Sequence, residues 1–250
     1  MISIICCYNN KTVYNDFLLK SINNCNYSNC EIIGLDNSNC TYSSISQAYN
    51  YALSQIKGDW IFFCHQDVAF ERDFFKEMEK YLNTQNKDQV RIFGFAGITD
   101  DGTVYSNIQR RNSREYIIRN QITKETNVIS LDECCFIVSK NTMDKLGYFD
   151  EKVCNNWHMY CVELCLRSLI NGGSNICLPD IIYHKDGKNQ LNVTLDKYFL
   201  GTAYRVSKKY KNNFDVLYTP CYKTSTKSPF LEIKILRSLL KYLFVSVKKR

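Results

Sequence analysis

An α/β fold with a mainly parallel, doubly wound sheet flanked by helices is predicted by three short apolar runs, the helical periodicity between them, and their polar tips. The runs are residues 2–7, 31–35 and 60–64. Continuous apolar strands of this length suit a sheet covered on both faces; a half-solvated strand would alternate. Between the first two, Val13, Phe17, Leu18 and Ile22 share one helical face. Between the next two, Ile45, Ala48, Ala52 and Ile56 do the same, with Gly58 placed as a C-terminal stop.

The rest of the chain continues this alternation. A helix is expected over 73–82, a strand over 90–98, a polar loop over 99–114 and a strand over 127–138. Ser139 can cap a short helix that ends at Gly147. A helix over 157–170 closes at Gly172-Gly173, and strand-like pieces follow at 174–178 and 181–184. A helix over 195–210 and a last one from Phe230 complete the C-terminal helical tail. The expected units are a catalytic domain over 1–190, a helical or irregular extension over 191–223 packed on it, and a basic amphipathic tail over 224–250.

Composition fits a globular domain: 250 residues, 45% hydrophobic and 23% charged. The apolar opening is too short for a signal peptide, and nowhere do about 18 apolar residues run together. A cytoplasmic location is expected. Thirteen cysteines contain no C-x-x-C pair, are odd in number and sit mostly in apolar runs. They read as reduced, small hydrophobes rather than disulfides or zinc ligands. Seven bases against one acid give 224–250 a charge of +6, leaving +1 of the total +7 for the body. A near-neutral body argues against a nucleic-acid partner.

Ligands of parallel α/β sheets bind beyond the carboxyl ends of the strands. The three strand tips there are Tyr8-Asn9-Asn10, Asp36-Asn37-Ser38 and His65-Gln66-Asp67. On an extended chain His65 and Asp67 point to the same side, so both can address one ligand. A carboxylate at that place can hold Mg²⁺ or Mn²⁺ bridging a diphosphate. The three histidines, His65, His158 and His184, each fall at the end of an element.

Ser46-Gln47-Ala48-Tyr49-Asn50, Lys57-Gly58-Asp59-Trp60 and His65-Gln66-Asp67-Val68 together resemble the core signature of family 2 glycosyltransferases. The resemblance continues through Leu131-Asp132-Glu133, Gly147-Tyr148-Phe149-Asp150-Glu151, the 157–167 segment, Gly172, and Pro179 to Gly187. It implies a GT-A (Rossmann-like) fold, a nucleotide-sugar donor, most often UDP-linked, a divalent cation, and inversion at the anomeric carbon. By the same resemblance Tyr8 and Asn9 fall in the first nucleotide loop, and Asp36 where uracil or ribose is contacted. Asn50 matches the helix Asn, Asp67 the metal-binding Asp, and His184 a later His that joins the metal or diphosphate. Two positions depart from the family pattern. His65 stands for the first Asp of D-x-D, where it can still contact the donor. Tyr160 and Cys161 replace a Glu-Asp pair, and Glu163 replaces the Asp of the following Asp-Leu.

Inverting transfer needs a base beside the acceptor hydroxyl. Glu163 is the first candidate, with Asp132 and Glu133 in reserve; the competing reading of Glu163 is a pair with Arg167 at i,i+4. Trp157 and His158 suit acceptor binding by stacking and hydrogen bonding. In the tail, Leu231, Ile235, Leu239, Leu243 and Phe244 recur at near-helical spacing among bases. Such a helix suits the anionic inner face of a membrane and would bring the enzyme to a lipid-linked acceptor. The expected function is sugar transfer from a nucleotide-sugar to a glycan or lipid-linked glycan in surface polysaccharide or glycoconjugate synthesis. The alternative is a catalytically inactive scaffold of the same fold in a glycan-assembly complex. A nucleotidyltransferase would want a Gly- and base-rich phosphate loop, which Cys7-Tyr8-Asn9-Asn10 is not.

Overall fold

The computed structural model describes residues 1–118, 120–185 and 196–227. The expected helix from Phe230, and with it most of the 224–250 tail, lies outside the described residues.

A seven-stranded sheet organises the chain, in the order Cys30–Asp36, Ile2–Tyr8, Trp60–Cys64, Cys135–Ser139, Arg91–Gly94, Ser174–Cys177 and Thr126–Val128. The first three strands are parallel, as the apolar runs require. Beyond them the sheet is mixed. Cys135–Ser139 is antiparallel to both neighbours, Ser174–Cys177 parallel to Arg91–Gly94, and Thr126–Val128 antiparallel at the edge. Parallel pairing therefore dominates only the N-terminal half. There each strand returns through a helical crossover; the link from Arg91–Gly94 to Cys135–Ser139 is a β excursion instead.

Strand period explains the core. Ile4 and Phe62 face one side of the sheet with Phe75, while Ile5 and Phe63 face the other with Tyr49 and Phe149. All five residues of Trp60–Cys64 are buried. Each such aromatic contributes about 1.5–3 kcal/mol by leaving water.

Several elements differ from expectation for local reasons. The first helical stretch is an α-turn Lys11–Val13, a π-helical segment Tyr14–Leu19 and an α-segment Lys20–Asn24. The helix Ile45–Leu53, capped by Ser44 Oγ accepting from Gln47 N at 3.1 Å, ends before Gly58. Gly58 serves close packing instead: a Cβ there would meet Ser3 N at 2.7 Å. The expected strand over 90–98 leaves the main sheet at Phe95, and Ala96–Ile98 joins Val104–Ser106 and Ser130–Leu131 in a small sheet. The expected strand over 127–138 is likewise three pieces, Thr126–Val128, Ser130–Leu131 and Cys135–Ser139. The helix Tyr160–Ile170 starts after Met159, whose φ of 65° is left-handed and prevents an earlier start.

The helix Phe74–Asn83 covers the face on which Phe75 and Met78 lie. On the opposite face lies the helix Lys197–Tyr210, through Leu200, Ala203, Val206 and Tyr210, followed by the hairpin Val216–Thr219 and Tyr222–Ser225. All thirteen cysteines are free thiols. Among the described residues no helix is long and apolar enough to cross a membrane.

Candidate active site

The carboxyl ends of the three parallel strands are laced together. Asn37 N donates to Tyr8 O at 2.7 Å, and Ser38 Oγ to Asn9 O at 3.4 Å. Gln66 Oε1 accepts from Asn9 N at 3.2 Å and Asn10 N at 2.9 Å, while its Nε2 donates to Asn9 Oδ1 at 2.9 Å. These tips floor a cleft of about 720 Å³. Of the residues expected in the site, Tyr8, Asn9, His65, Asp67 and Trp157 line it, joined by Asn37, Tyr42, Gln66 and Tyr160.

His184 reaches Asp67 through a second small sheet. Ile182–His184 pairs antiparallel with Val68–Ala69, so His184 lies opposite Val68 and its Nε2 is 3.4 Å from Asp67 Oδ2. Its Nδ1 lies 3.1 Å from Lys185 O, to which it can donate, so Nε2 is the nitrogen turned toward the carboxylate. A ring donating one nitrogen to a backbone carbonyl and offering the other is the usual posture of a metal-ligating histidine.

His65 is oriented by Tyr160. The Tyr160 hydroxyl donates to Glu133 O at 3.1 Å and lies 3.0 Å from His65 Nε2. Its one proton is thus committed, so His65 donates through Nε2 and keeps a lone pair on Nδ1. Burial lowers the His65 pKa, opposed by the Asp67 and Asp132 carboxylates, and the ring is neutral at neutral pH.

Asp132 Oδ1 accepts from Cys134 N at 2.9 Å. Next to it, burial and the Asp132 charge push the Glu133 carboxyl well up. Amide N–H groups of Cys161, Tyr160 and Met159, at the start of their helix, act the other way; burial outweighs them. Asp36 is exposed at the rim, and its carboxyl is held low by Ser38, whose N donates to Oδ1 at 2.9 Å.

Seven expected site residues do not line the cleft: Asp36, Asp132, Glu133 and His184, which adjoin residues that do, and Asn50, Glu163 and His158, which are tied into the fold elsewhere. Asn50 clamps a loop: Oδ1 accepts from Phe149 N at 2.9 Å, and Nδ2 donates to Phe149 O at 3.0 Å and Glu151 Oε1 at 2.7 Å. Glu163 is 0% exposed. It accepts from Arg167 Nη2 at 2.8 Å, Lys209 Nζ at 2.7 Å and Tyr210 Oη at 2.6 Å. The i,i+4 pair with Arg167 is present, and Glu163 does not reach the cleft. His158 packs its ring on Phe199 with centroids 5.6 Å apart and lies 3.6 Å from Asp196 Oδ1. Gln66 and Tyr160 were not singled out by the sequence; Gln66 sits in plain view between His65 and Asp67, whereas the role of Tyr160 depends on a contact distant in sequence.

Comparison with known proteins supports the fold. Solved structures that resemble the chain include a mannosyltransferase from Pyrobaculum calidifontis in complex with GDP-Man and Mn²⁺ (TM-score 0.58, 11% identity, 99% of this chain and 75% of that one). Others are S. aureus TarS 1–349 with UDP-GlcNAc (0.56, 14%, 96% and 71%) and GalNAc-T7 with UDP, GalNAc and Mn²⁺ (0.54, 10%, 85% and 51%). The chain thus spans about half of the GalNAc-T7 chain. At these identities the likeness is one of fold, and the fold is GT-A. No curated protein matches. The sequence profile of the glycosyltransferase-like family matches residues 3–185, most of the chain, and the protein belongs to that family.

Proposed function

We propose that the protein transfers a sugar from a nucleoside-diphosphate donor to a glycan acceptor with inversion, using a divalent cation. The observation that carries this reading is the His65-Gln66-Asp67 tip, which lines the cleft, is laced to the Asn9-Asn10 loop and meets His184 through Asp67. Asp67 Oδ2 and His184 Nε2 offer a carboxylate and an imidazole, a donor set that fits Mn²⁺ or Mg²⁺. Asp67 and His184 would hold the ion, which would supply charge to offset that of the leaving diphosphate. Tyr8 and Asn9 line the cleft and Asp36 ends the adjoining strand, so these would hold the nucleoside, and UDP is the favoured nucleotide. His65 Nδ1 is available to accept from a donor hydroxyl.

Asp132 is the favoured base. It is partly exposed and close enough to His65 to influence its charge, whereas Glu163 is enclosed and Glu133 is held toward its neutral form. Asp132 would take the acceptor hydroxyl proton as that oxygen attacks the anomeric carbon. The nucleoside diphosphate departs from the opposite face with the electron pair of its bond to the sugar. The basic tail and its amphipathic spacing support a lipid-linked acceptor at the cytoplasmic face of a membrane. The test is release of nucleoside diphosphate from UDP- and GDP-sugars with Mn²⁺. Release lost in both Asp67→Ala and Asp132→Asn supports this reading; no release from any donor favours the inactive scaffold.

A further inference from the structure

Beyond Trp157 the surface falls into a second cavity of about 630 Å³. Ser43 and Trp157 line both this cavity and the donor cleft, so the two share a wall. The opposite wall is the first turns of the helix Lys197–Tyr210, with Lys197, Tyr198, Gly201 and Arg205 facing the space. The walls are tied together. Asn156 Nδ2 donates to Tyr198 O at 3.0 Å and Thr202 Oγ1 at 2.6 Å. Arg205 donates through Nε to Val153 O at 2.8 Å and through Nη2 to Asn155 Oδ1 at 2.5 Å. The cavity is therefore formed before any ligand arrives.

Its chemistry is selective. Trp157 and Tyr198 are 41% and 56% exposed and suited to stacking on a sugar, with Lys197 Nζ 4.9 Å from the Tyr198 ring centroid. Among the described residues the lining carries two cations, Lys197 and Arg205, and no acid. The neighbouring acids are engaged: Asp150 with Lys209, Glu151 with Asn50, and Asp196 as the cap of Phe199 N. Gly201 keeps the helix face bare, since a Cβ there would approach only Arg205 Nη1, at 3.5 Å.

We propose that this cavity holds an anionic unit of the acceptor, a carboxylate- or phosphodiester-bearing residue adjoining the one whose hydroxyl reacts. The inference rests on the glycosyl-transfer reading for its link to catalysis, but binding can be measured without catalysis. Trp157 lies at the cavity and Trp60 is buried, so tryptophan fluorescence reports on it. Titrations would compare trigalacturonate, a glycerol-phosphate trimer and neutral galactotriose, on the wild type, Lys197→Glu and Gly201→Leu. Donor hydrolysis is measured on each variant. At least one acidic trimer should quench at a concentration about tenfold lower than the neutral one, and the tighter of the two identifies the anion. Both substitutions should abolish that preference and leave donor hydrolysis unchanged; Gly201→Leu also favours the helix. Equal binding of neutral and acidic trimers, or an unaltered preference in Lys197→Glu, would overturn the proposal. Acid-selective binding without any donor hydrolysis would retain the cavity assignment and sink the transferase reading instead.

Discussion

Asp67 Oδ2 and His184 Nε2 face each other at 3.4 Å across an antiparallel strand pair, with the His184 ring oriented by its contact to Lys185 O. A neutral imidazole so oriented sets one acceptor against another, an arrangement that a proton or a cation relieves. His184→Ala should therefore weaken manganese-dependent nucleotide binding by about tenfold or more. Metal-free nucleotide binding should be unchanged. Calorimetry with and without Mn²⁺ reads both.

Gln66 joins the first and third strand tips by three hydrogen bonds. Gln66→Ala leaves the Asn9 and Asn10 amides without that partner, at an exposed place where water can replace it. The expected loss is small in stability, about 1 kcal/mol, and larger in donor KM, which should rise about tenfold as the nucleotide loop loosens. Thermal melts and donor kinetics separate the two effects.

Glu163 holds Arg167, Lys209 and Tyr210 at 0% exposure. Glu163→Ala takes a buried carboxylate away from Arg167 on its own helix and from Lys209 and Tyr210 on the helix Lys197–Tyr210, leaving Lys209 with Asp150 alone, and should cost about 3 kcal/mol, a fall in Tm of about 10 °C. Folded Glu163→Gln protein should keep its kcat. A large kcat loss at unchanged Tm would restore Glu163 as the base.

The Glu133 carboxyl titrates well above its ordinary value of 4.5 because burial and Asp132 oppose its charge. The folded state then holds a proton that the unfolded chain has released. Stability from this group is whole below about pH 4.5 and declines as pH rises from there toward the folded pKa. Glu133→Gln removes the ionisable group, so its Tm should gain on the wild type as pH is raised from 4 to 8. A constant difference across that range would contradict the shift.

The N-terminal half was legible because its signals are local. Apolar runs gave the parallel strands, and each polar tip had to emerge where those strands end. Ser44 and Ser139 were readable as helix caps for the same reason. The 90–138 stretch was not, because a strand that changes sheets at Phe95 keeps its apolar pattern while its partners change. Gly58 looked like a helix stop, and only the approach of Ser3 shows why it is glycine. Glu163 and Asn50 sit in motif positions, yet their partners Lys209, Tyr210 and Phe149 come from distant segments that spacing does not reveal.

A nucleotide site built on Asp67 is tested most directly by calorimetric titration with UDP and GDP, each with and without Mn²⁺. Binding of one nucleotide should depend on Mn²⁺ and be lost in Asp67→Ala at unchanged Tm. Binding of neither nucleotide, or equal binding by wild type and Asp67→Ala, would contradict it.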